Sequence, residues 1–416
     1  MTVTTWIDEK ARVELEYIRD AKSTGMYPFY RPFERGGIRN AVAGHEVVNY
    51  SSNDYLGLTM HPKVIEAAKS AIDTFGSGLS SSRVQATTTM HVELEERLAK
   101  FFGFEKALVT TTGYQAMLAV IMAAADKDTT LVLDNLSHAC ILDGSFLAAG
   151  TPGRQAELRF FNHNSAKSLK RVLESRERKN ALVLVEGVYS LDGDMGKLIE
   201  INEVCEQAGA ALCVDDAHGS GTLGKHGRGA LEHFGIEGRV PIVVTAFSKV
   251  FGGIGGVVFG SEDTVDLVKH NARSFLFSAT LPVPVVAAAL TILEMLEKDS
   301  VSLVAELHEK SAYMRKRLTE RGFDLGHSNT HIMPVMVRDT TKAILLHHML
   351  WERGIYMVPI PYPGVKKGEE RMRLNVTRGH TYEELDRCVE VLTELATMGG
   401  ILGQSPADAS AENSTA

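Results

Sequence analysis

The chain has 416 residues, and its 44 Lys and Arg against 52 Asp and Glu give a formal net charge of −8. A chain of this length buries a large core and is expected to hold about two or three domains. The acidic balance and the lack of a long basic run exclude nucleic acid and anionic membrane surfaces as main partners.

The cysteines and the hydropathy pattern restrict the class further. Cys140, Cys205, Cys213 and Cys388 are widely spaced, without the spacing of a zinc site, so no metal is expected. We expect reduced, buried thiols in a cytoplasmic protein. The first twenty residues carry acids throughout and do not resemble a secretory signal. The longest uncharged run, 107–125, contains a polar turn, so no integral membrane segment is predicted.

The element pattern predicts an α/β fold. Two amphipathic helices come first, His61–Phe75 and His91–Phe102. From residue 105 to 260, short apolar or β-branched runs alternate with segments of helical period, which is typical of a mostly parallel sheet flanked by helices. The predicted strands are Lys106–Thr110, Leu131–Asp134, Leu158–Phe161, Leu182–Glu186, Ala211–Asp215, Ile242–Ala246 and Gly256–Phe259. The predicted helices between them include Gln115–Ala125, Ser165–Arg176 and Leu198–Ala208.

A smaller α+β domain is predicted after the sheet. It begins with a helix at Val285–Glu297 and contains strands near His331–Val337 and Arg371–Val376. The last residues are rich in Ser, Ala, Asn and Asp and show no apolar period. The predicted organisation is an N-terminal arm at 1–50, a large cofactor-binding domain at 51–283, a small C-terminal domain at 284–402 and a disordered tail at 403–416.

A lysine with small neighbours is the first candidate for chemistry. Lys249 follows a predicted strand and precedes the glycine-rich segment Gly252–Gly256. A lysine that reacts with an aldehyde must be partly deprotonated, and small residues beside it leave room for a flat cofactor. The alternative is an ordinary surface lysine in a loop.

An aspartate and a histidine complete the pattern. Asp215 ends another predicted strand, at the edge where open α/β sheets bind ligands, and His218 follows it. A buried carboxylate there would pair with a protonated pyridine nitrogen, although an aspartate in this position also caps helices and forms turns. Together, Asp215, His218 and Lys249 predict a pyridoxal phosphate site.

Further motifs extend this prediction along the chain. They are Ser52–Leu58, Thr112–Tyr114, Asp134 with Ser137 and His138, Val185–Ser190, Asp215–His218, Thr245–Lys249, Phe277–Pro282, and Arg373 before His380 and Thr381. With these motifs the chain, from about Tyr27 to Met398, resembles the α-oxoamine synthases, a family of fold-type I pyridoxal phosphate enzymes.

The resemblance implies a role for each matching residue. Lys249 would hold pyridoxal 5′-phosphate as a Schiff base, Asp215 would pair with the ring nitrogen, His218 would contact the ring hydroxyl, and His138 would stack on the ring; these are the expected catalytic residues. The further cofactor contacts implied are Gly113, Tyr114, Glu186, Ser190, Thr245 and Ser248, with Ser278 or Thr280 from the partner subunit. Asn53 and Arg373 would bind substrate, Arg373 by its carboxylate, with a structural ion pair as the alternative for Arg373.

The family chemistry implies a decarboxylative Claisen-type condensation. A small amino acid (glycine, alanine or serine) would react with an acyl thioester of CoA or an acyl carrier protein, giving an α-amino ketone, the free thiol and CO₂. A homodimer with shared active sites is expected. Two alternatives stay open: another fold-type I activity, such as an aminotransferase or a retro-aldol lyase, and a catalytically inactive subunit of a heterodimer, against which Lys249 argues.

Overall fold

The computed structural model describes residues 5–402. The strands are β1 (Arg39–Val42), β2 (His45–Asn49), β3 (Lys106–Thr110), β4 (Thr129–Asp134), β5 (Glu157–Phe161), β6 (Asn180–Glu186), β7 (Ala211–Asp215), β8 (Ile242–Ala246), β9 (Gly256–Gly260), β10 (Ile332–Met336), β11 (Ile355–Tyr356), β12 (Val358–Ile360) and β13 (Arg371–Asn375). The helices are α1 (Trp6–Glu14), α2 (Glu16–Ser23), α3 (Pro62–Phe75), α4 (Thr89–Phe102), α5 (Gly113–Ala124), α6 (Ala139–Gly150), α7 (Ala166–Glu174), α8 (Leu198–Ala208), α9 (Ala230–Phe234), α10 (Glu262–Asn271), α11 (Arg273–Leu276), α12 (Val283–Glu320), α13 (Thr340–Glu352) and α14 (Tyr382–Met398).

A seven-stranded sheet organises the first part of the chain, in the order β3-β9-β8-β7-β6-β4-β5. Neighbouring strands are parallel except where β9 pairs with β3 and β8, and those two pairs are antiparallel. The predicted α/β fold with a mostly parallel sheet is therefore confirmed. All seven strands predicted between residues 105 and 260 are present, with ends that differ by at most a few residues.

Both faces of this sheet are covered, which explains its nearly continuous apolar strands. Val183 and Val214 belong to the hydrophobic core on one face, while Leu182 and Cys213 belong to the core on the other. In register, Glu186 at the end of β6 lies beside Asp215 at the end of β7. The parallel arrangement thus brings the carboxyl ends of β6, β7 and β8 to one edge, where the polar residues collect.

The C-terminal part has its own core around an antiparallel sheet ordered β10-β13-β12, packed against α13 and α14. A third sheet joins distant segments, because β2 pairs with β1 on one side and with β11 on the other. Strands this short show little alternation of apolar and polar residues. For this reason β1, β2, β11 and β12 were not predicted from the sequence. The separate cores agree with a large and a small domain, although the boundaries given above stay a prediction, and the 403–416 tail lies outside the described residues.

The helix predicted at Val285–Glu297 was too short. The structure has one helical element from Val283 to Glu320, with non-helical backbone angles at Asp299, where two helices meet at a kink. Its buried residues include Val286 and Leu293 before the kink and Leu307 and Met314 after it. The element therefore contributes to the core beside the large sheet and also to the C-terminal core.

Two further predictions concern the cysteines and membrane-spanning helices. The four cysteines are all buried and none forms a disulfide, as predicted. Across residues 5–402, none of the helices combines the length and the apolar character needed to cross a bilayer.

Candidate active site

A cavity of about 260 Å³ opens at the carboxyl edge of the large sheet. It lies between the first turn of α5, the residue that caps α6, and the ends of β6, β7 and β8. The predicted cofactor residues that line it are Gly113, Tyr114, His138, Glu186, Asp215, His218, Thr245, Ser248 and Lys249. The structure thus brings together side chains that are more than 130 residues apart in the sequence.

One end of the cavity is the N-terminus of α5, where the first backbone N–H groups have no acceptor within the helix. Such a terminus binds anions through its N–H groups and its dipole. Gly113 begins the helix, and a Cβ there would lie only 2.6 Å from the Cβ of Ala246. Thr245 and Ser248, which both carry hydroxyl groups, line the same cavity. This end of the cavity is therefore suited to hold an anion such as a phosphate group.

Two buried carboxylates lie side by side at the opposite side. Asp215 accepts a hydrogen bond from the Ala217 N–H at 3.1 Å and a weak one from the Cys140 thiol at 3.7 Å. Glu186 accepts the His138 N–H at 2.7 Å. Burial raises the pKa of both carboxyl groups, and the charge of Asp215 raises the pKa of Glu186 further. Nearby His138 and Lys249 counter the rise in the pKa of Asp215, so Asp215 is the better placed of the two to carry the negative charge.

Lys249 faces these carboxylates from the turn that follows β8. Its Nζ donates to the Ser248 hydroxyl at 3.3 Å, and its ammonium forms no salt bridge within the described part of the chain. Burial lowers the pKa of Lys249, and the positive charge of Arg373 adds to that effect, whereas Asp215 opposes it. A lysine in this setting has an increased fraction of the neutral, nucleophilic amine.

Two histidines flank the cavity in different ways. His218 is buried, and its Nδ1 lies 2.7 Å from the Tyr55 hydroxyl. Burial, followed by the charges of Lys249 and Arg373, lowers the pKa of His218 well below its ordinary value, which makes the ring neutral. His138 instead caps α6, with its Nδ1 accepting the Cys140 N–H at 3.2 Å, and its exposed side chain lines the cavity. Its ring is free to stack on a flat ligand.

The predicted substrate residues lie beside the cavity. Arg373 on β13 donates from Nε to the Ser190 carbonyl oxygen at 2.7 Å and from Nη1 to the Asn53 side-chain oxygen at 3.1 Å. Among the described residues it forms no salt bridge, which argues against the alternative of a structural ion pair. Asn53 lines a neighbouring cavity together with Lys249. Ser190 lines a different adjoining cavity, which it shares with His138, so the structure does not place Ser190 in the cofactor cavity itself.

Ser278 and Thr280, expected to act across a dimer, do not line the cavity of their own chain. The Ser278 hydroxyl accepts a hydrogen bond from Gln115 at 3.0 Å, and the Thr280 hydroxyl lies 3.3 Å from the Nε2 of buried His91. Their predicted contact with a partner's phosphate stays a prediction.

Two residues of the site were not assigned a role from sequence. Tyr55 belongs to the Ser52–Leu58 motif but contacts His218 only through the fold. Cys140 was interpreted only as a buried thiol, yet its Sγ lies 3.1 Å from His138 Nδ1 and also contacts Asp215. Its position two residues after His138 was the available signal.

Comparison with known proteins identifies the family. The model of the family described as aminotransferase class I and II matches residues 45–392. The chain belongs to this family. An 8-amino-7-oxononanoate synthase of Thermoanaerobacter pseudethanolicus is 36% identical over 391 residues, which are 93% of this chain and 97% of that protein. A serine palmitoyltransferase of Sphingobacterium spiritivorum is 33% identical over 381 residues, which are 91% of this chain and 94% of that protein.

A solved structure also matches nearly the whole chain. It is a serine palmitoyltransferase with a pyridoxal phosphate internal aldimine, with a TM-score of 0.90 and 30% identity, covering 95% of this chain and 99% of that one. The predicted resemblance to α-oxoamine synthases and the fold-type I architecture are therefore confirmed.

Proposed function

We propose that the chain is a pyridoxal phosphate-dependent acyltransferase of the α-oxoamine synthase type. The observation that carries the proposal is the meeting of Lys249, Asp215 and His138 around one cavity that ends at a helix N-terminus. Relatives named 8-amino-7-oxononanoate synthase and serine palmitoyltransferase support the same reaction class and do not favour an aminotransferase or a retro-aldol lyase. Lys249 argues against an inactive subunit.

The residues fit the cofactor at each of its functional groups. The first turn of α5 and the residues Thr245 and Ser248 suit the phosphate, and Gly113 leaves the space that a side chain would fill. Asp215 is buried and, among the described residues, accepts hydrogen bonds from a backbone N–H and a thiol alone, so it suits a protonated pyridine nitrogen. When bound, pyridoxal phosphate supplies an electron sink for negative charge that develops at the substrate Cα.

The residues around the cavity have separate roles in the proposed reaction. Lys249 accepts the proton from the substrate Cα, because burial lowers the pKa of its amine and so increases the neutral fraction that can act as a base. Asp215 would keep the ring nitrogen protonated, and His138, whose side chain lines the cavity, would stack on the ring. His218, held by Tyr55, would present a neutral imidazole to the ring hydroxyl. Arg373 holds the substrate carboxylate through the N–H groups that Ser190 and Asn53 leave free.

The overall reaction forms one C–C bond and breaks a C–S bond and a C–C bond. A C–C bond forms between the amino-acid Cα and the acyl carbon, and the C–S bond of the thioester breaks with its electron pair leaving on sulfur. The Cα–carboxylate bond then breaks, CO₂ leaves, and a proton takes its place at Cα. Glycine, alanine or serine plus an acyl thioester and one proton thus give an α-amino ketone, a free thiol and CO₂.

The assembly and the compartment are also part of the proposal. We infer a homodimer in which Ser278 or Thr280 reaches the partner's phosphate cradle, and light scattering of the dilute holoenzyme should give a mass near twice that of the 45.4 kDa chain. An active monomer would contradict shared sites. The four unpaired, buried cysteines support a reducing compartment such as the cytoplasm.

Release of free thiol tests the function directly. Holoenzyme should be mixed with glycine, alanine or serine and with acyl thioesters of increasing chain length, while thiol and CO₂ are measured. We expect thiol release that needs both substrates, with one CO₂ for each thiol, and none from Lys249→Ala. Transfer of the amino group to a 2-oxo acid without thiol release would instead identify an aminotransferase.

A further inference from the structure

A buried chain of hydrogen bonds joins Arg373 to the histidine expected at the cofactor ring. Arg373 donates from Nη1 to the side-chain oxygen of Asn53 at 3.1 Å, and the Tyr55 hydroxyl donates to the same oxygen at 3.1 Å. The Tyr55 hydroxyl also lies 2.7 Å from Nδ1 of His218. Tyr55 is completely buried, so water does not compete for these bonds. One phenol therefore connects Arg373 on β13 with His218 after β7.

The direction of each bond follows from the groups that donate. A guanidinium has no acceptor, so Asn53 must turn its carbonyl oxygen toward Arg373. That oxygen accepts the single proton of the Tyr55 hydroxyl, and the phenol oxygen then accepts the Nδ1–H of His218. Burial lowers the pKa of His218, so the ring is neutral, has one N–H and keeps a lone pair on Nε2. Because Tyr55 occupies Nδ1, Nε2 is the nitrogen that His218 offers to a ligand in the cofactor cavity.

The Asn53 side-chain oxygen is shared by more donors than it has lone pairs. Asn375 donates to it from Nδ2 at 3.1 Å, in addition to Arg373 and Tyr55. A carbonyl oxygen has two lone pairs, so the three donors compete for them. An anion that draws the N–H groups of Arg373 toward itself weakens one of these bonds and strengthens the others. A stronger bond from Tyr55 to Asn53 makes the phenol oxygen a better acceptor, which polarises the ring of His218.

Packing holds the ring of Tyr55 independently of its hydroxyl. The ring centre lies 4.0 Å from that of His331, which is buried and has no hydrogen-bond partner for either ring nitrogen among the described residues. Burial raises the pKa of Tyr55 to about 12, although the charge of Arg373 opposes the rise, so the phenol is protonated at neutral pH. The substitution Tyr55→Phe thus removes the hydroxyl and keeps the packing. It also keeps the other charged or titratable groups that act on His218, which are Lys249, Arg373, His331 and His138.

We propose that Tyr55 is a positioning residue that transmits binding of the amino-acid carboxylate at Arg373 to the histidine at the cofactor ring. When a carboxylate binds, Asn53 and Tyr55 pass the change in hydrogen bonding on to His218, whose Nε2 is available to the ring hydroxyl. The inference rests on the proposed function, because it takes Arg373 as the carboxylate site and His218 as the partner of the ring hydroxyl. The coupling is reciprocal, so hydrogen bonding at the ring also changes the affinity for the carboxylate.

Propionate tests the coupling without turnover, because it has the carboxylate of alanine and no amino group. Titration of the wild-type holoenzyme with propionate should change the visible absorbance of the bound cofactor until the site is saturated. Tyr55→Phe should still bind propionate, as competition with the accepted amino acid measures. Its absorbance should change by roughly half as much or less, because the direct field of the carboxylate remains while the path of hydrogen bonds is lost.

Two further variants complete the experiment. Tyr313→Phe is the matched control, because it removes a hydroxyl that is bonded to Asp386 at 2.7 Å and does not line the cofactor cavity. It should respond to propionate as wild type does. Asn53→Ala removes the shared oxygen, so at saturating propionate it should reduce the absorbance change as Tyr55→Phe does. This variant also tests the path if Tyr55→Phe does not fold.

Four results would overturn the proposal. They are a full absorbance change in Tyr55→Phe, a wild-type spectrum that does not respond while propionate competes, propionate that does not compete in wild type, and a folded Tyr55→Phe that loses cofactor or propionate. The last result would make Tyr55 a scaffold residue. The outcome is separable from the proposed function. Thiol release without a Tyr55-dependent response would refute the coupling alone, whereas a Tyr55-dependent response without thiol release would refute the function and keep the coupling.

Discussion

Replacement of Arg373 by lysine separates substrate binding from cofactor binding. A guanidinium has five N–H donors, and in the structure one Nε–H is bonded to Ser190 and one Nη1–H to Asn53. Within residues 5–402 these are the two hydrogen bonds that Arg373 donates, so its other N–H groups can bind the amino-acid carboxylate. A lysine keeps the charge but concentrates its donors on one nitrogen, so it cannot satisfy Ser190, Asn53 and a carboxylate in the same geometry.

The expected loss follows from the bonds that lysine cannot replace. One charge-assisted hydrogen bond contributes about 1.5–3 kcal/mol, which at about 1.4 kcal/mol per tenfold corresponds to an amino-acid affinity that is roughly 10- to 100-fold weaker. The change in the visible spectrum of the bound cofactor on titration with amino acid measures this affinity. Cofactor loading should not change, and an amine without a carboxylate should bind wild type and variant equally.

A matched substitution serves as the control. Arg353→Lys alters an exposed arginine that is paired with Glu394 at 3.0 Å on the surface, and it should leave the titration unchanged. Equal amino-acid affinities for wild type and Arg373→Lys, together with loss of cofactor, would refute the reasoning and make Arg373 a scaffold residue.

Three further substitutions test the site and the scaffold. Lys249→Ala should retain cofactor by phosphate and ring contacts but lose turnover, and borohydride should fix cofactor covalently to wild type only; equal fixation would point to another lysine. Asp215→Asn should bind amino acid yet slow the chemistry by several orders of magnitude, at about 1.4 kcal/mol of barrier per decade, and near-normal kcat would show a structural aspartate. Burial would lower the pKa of His163, but its hydrogen bonds with Asp134 and Asp194, both 2.9 Å long, raise it to about 10. The protonated ring thus stabilises the fold fully below pH 6.5, and this contribution is lost as pH rises toward about 10. Urea unfolding of wild type and His163→Gln should show a stability difference that narrows over this range by at least ~1 kcal/mol, and a constant difference would contradict the assignment.

The central features of the site were accessible from sequence because they lie at strand ends. Asp215 ends β7 and Lys249 follows β8, and the alternation of apolar runs with helical segments is enough to predict both strands. Parallel strands then bring their carboxyl ends to one edge, so the two residues had to be close. The resemblance to a known family added His138 and Arg373, whose own surroundings carry weaker signals.

What sequence could not supply depends on contacts between distant segments. The Tyr55 hydroxyl meets His218 across 163 residues, and no local pattern encodes that pairing. The continuation of α12 past Glu297 was missed because a kink at Asp299 breaks the helical period while the element continues to pack on the C-terminal core. Strands as short as β11 show no alternation at all, since their place is fixed by the neighbour that they join.

The pairing of β2 with β11 has a consequence for how the protein is made. At a synthesis rate of about 5–20 residues per second, β2 emerges from the ribosome roughly 15 to 60 seconds before its partner strand exists. The large sheet is complete in sequence once β9 has been made, so it can form during that interval, whereas one edge of β2 stays open. An open strand edge invites pairing with other chains. The first fifty residues are therefore the segment for which a chaperone that binds nascent chains would matter most, and slowing translation between β2 and β11 should reduce the yield of folded protein.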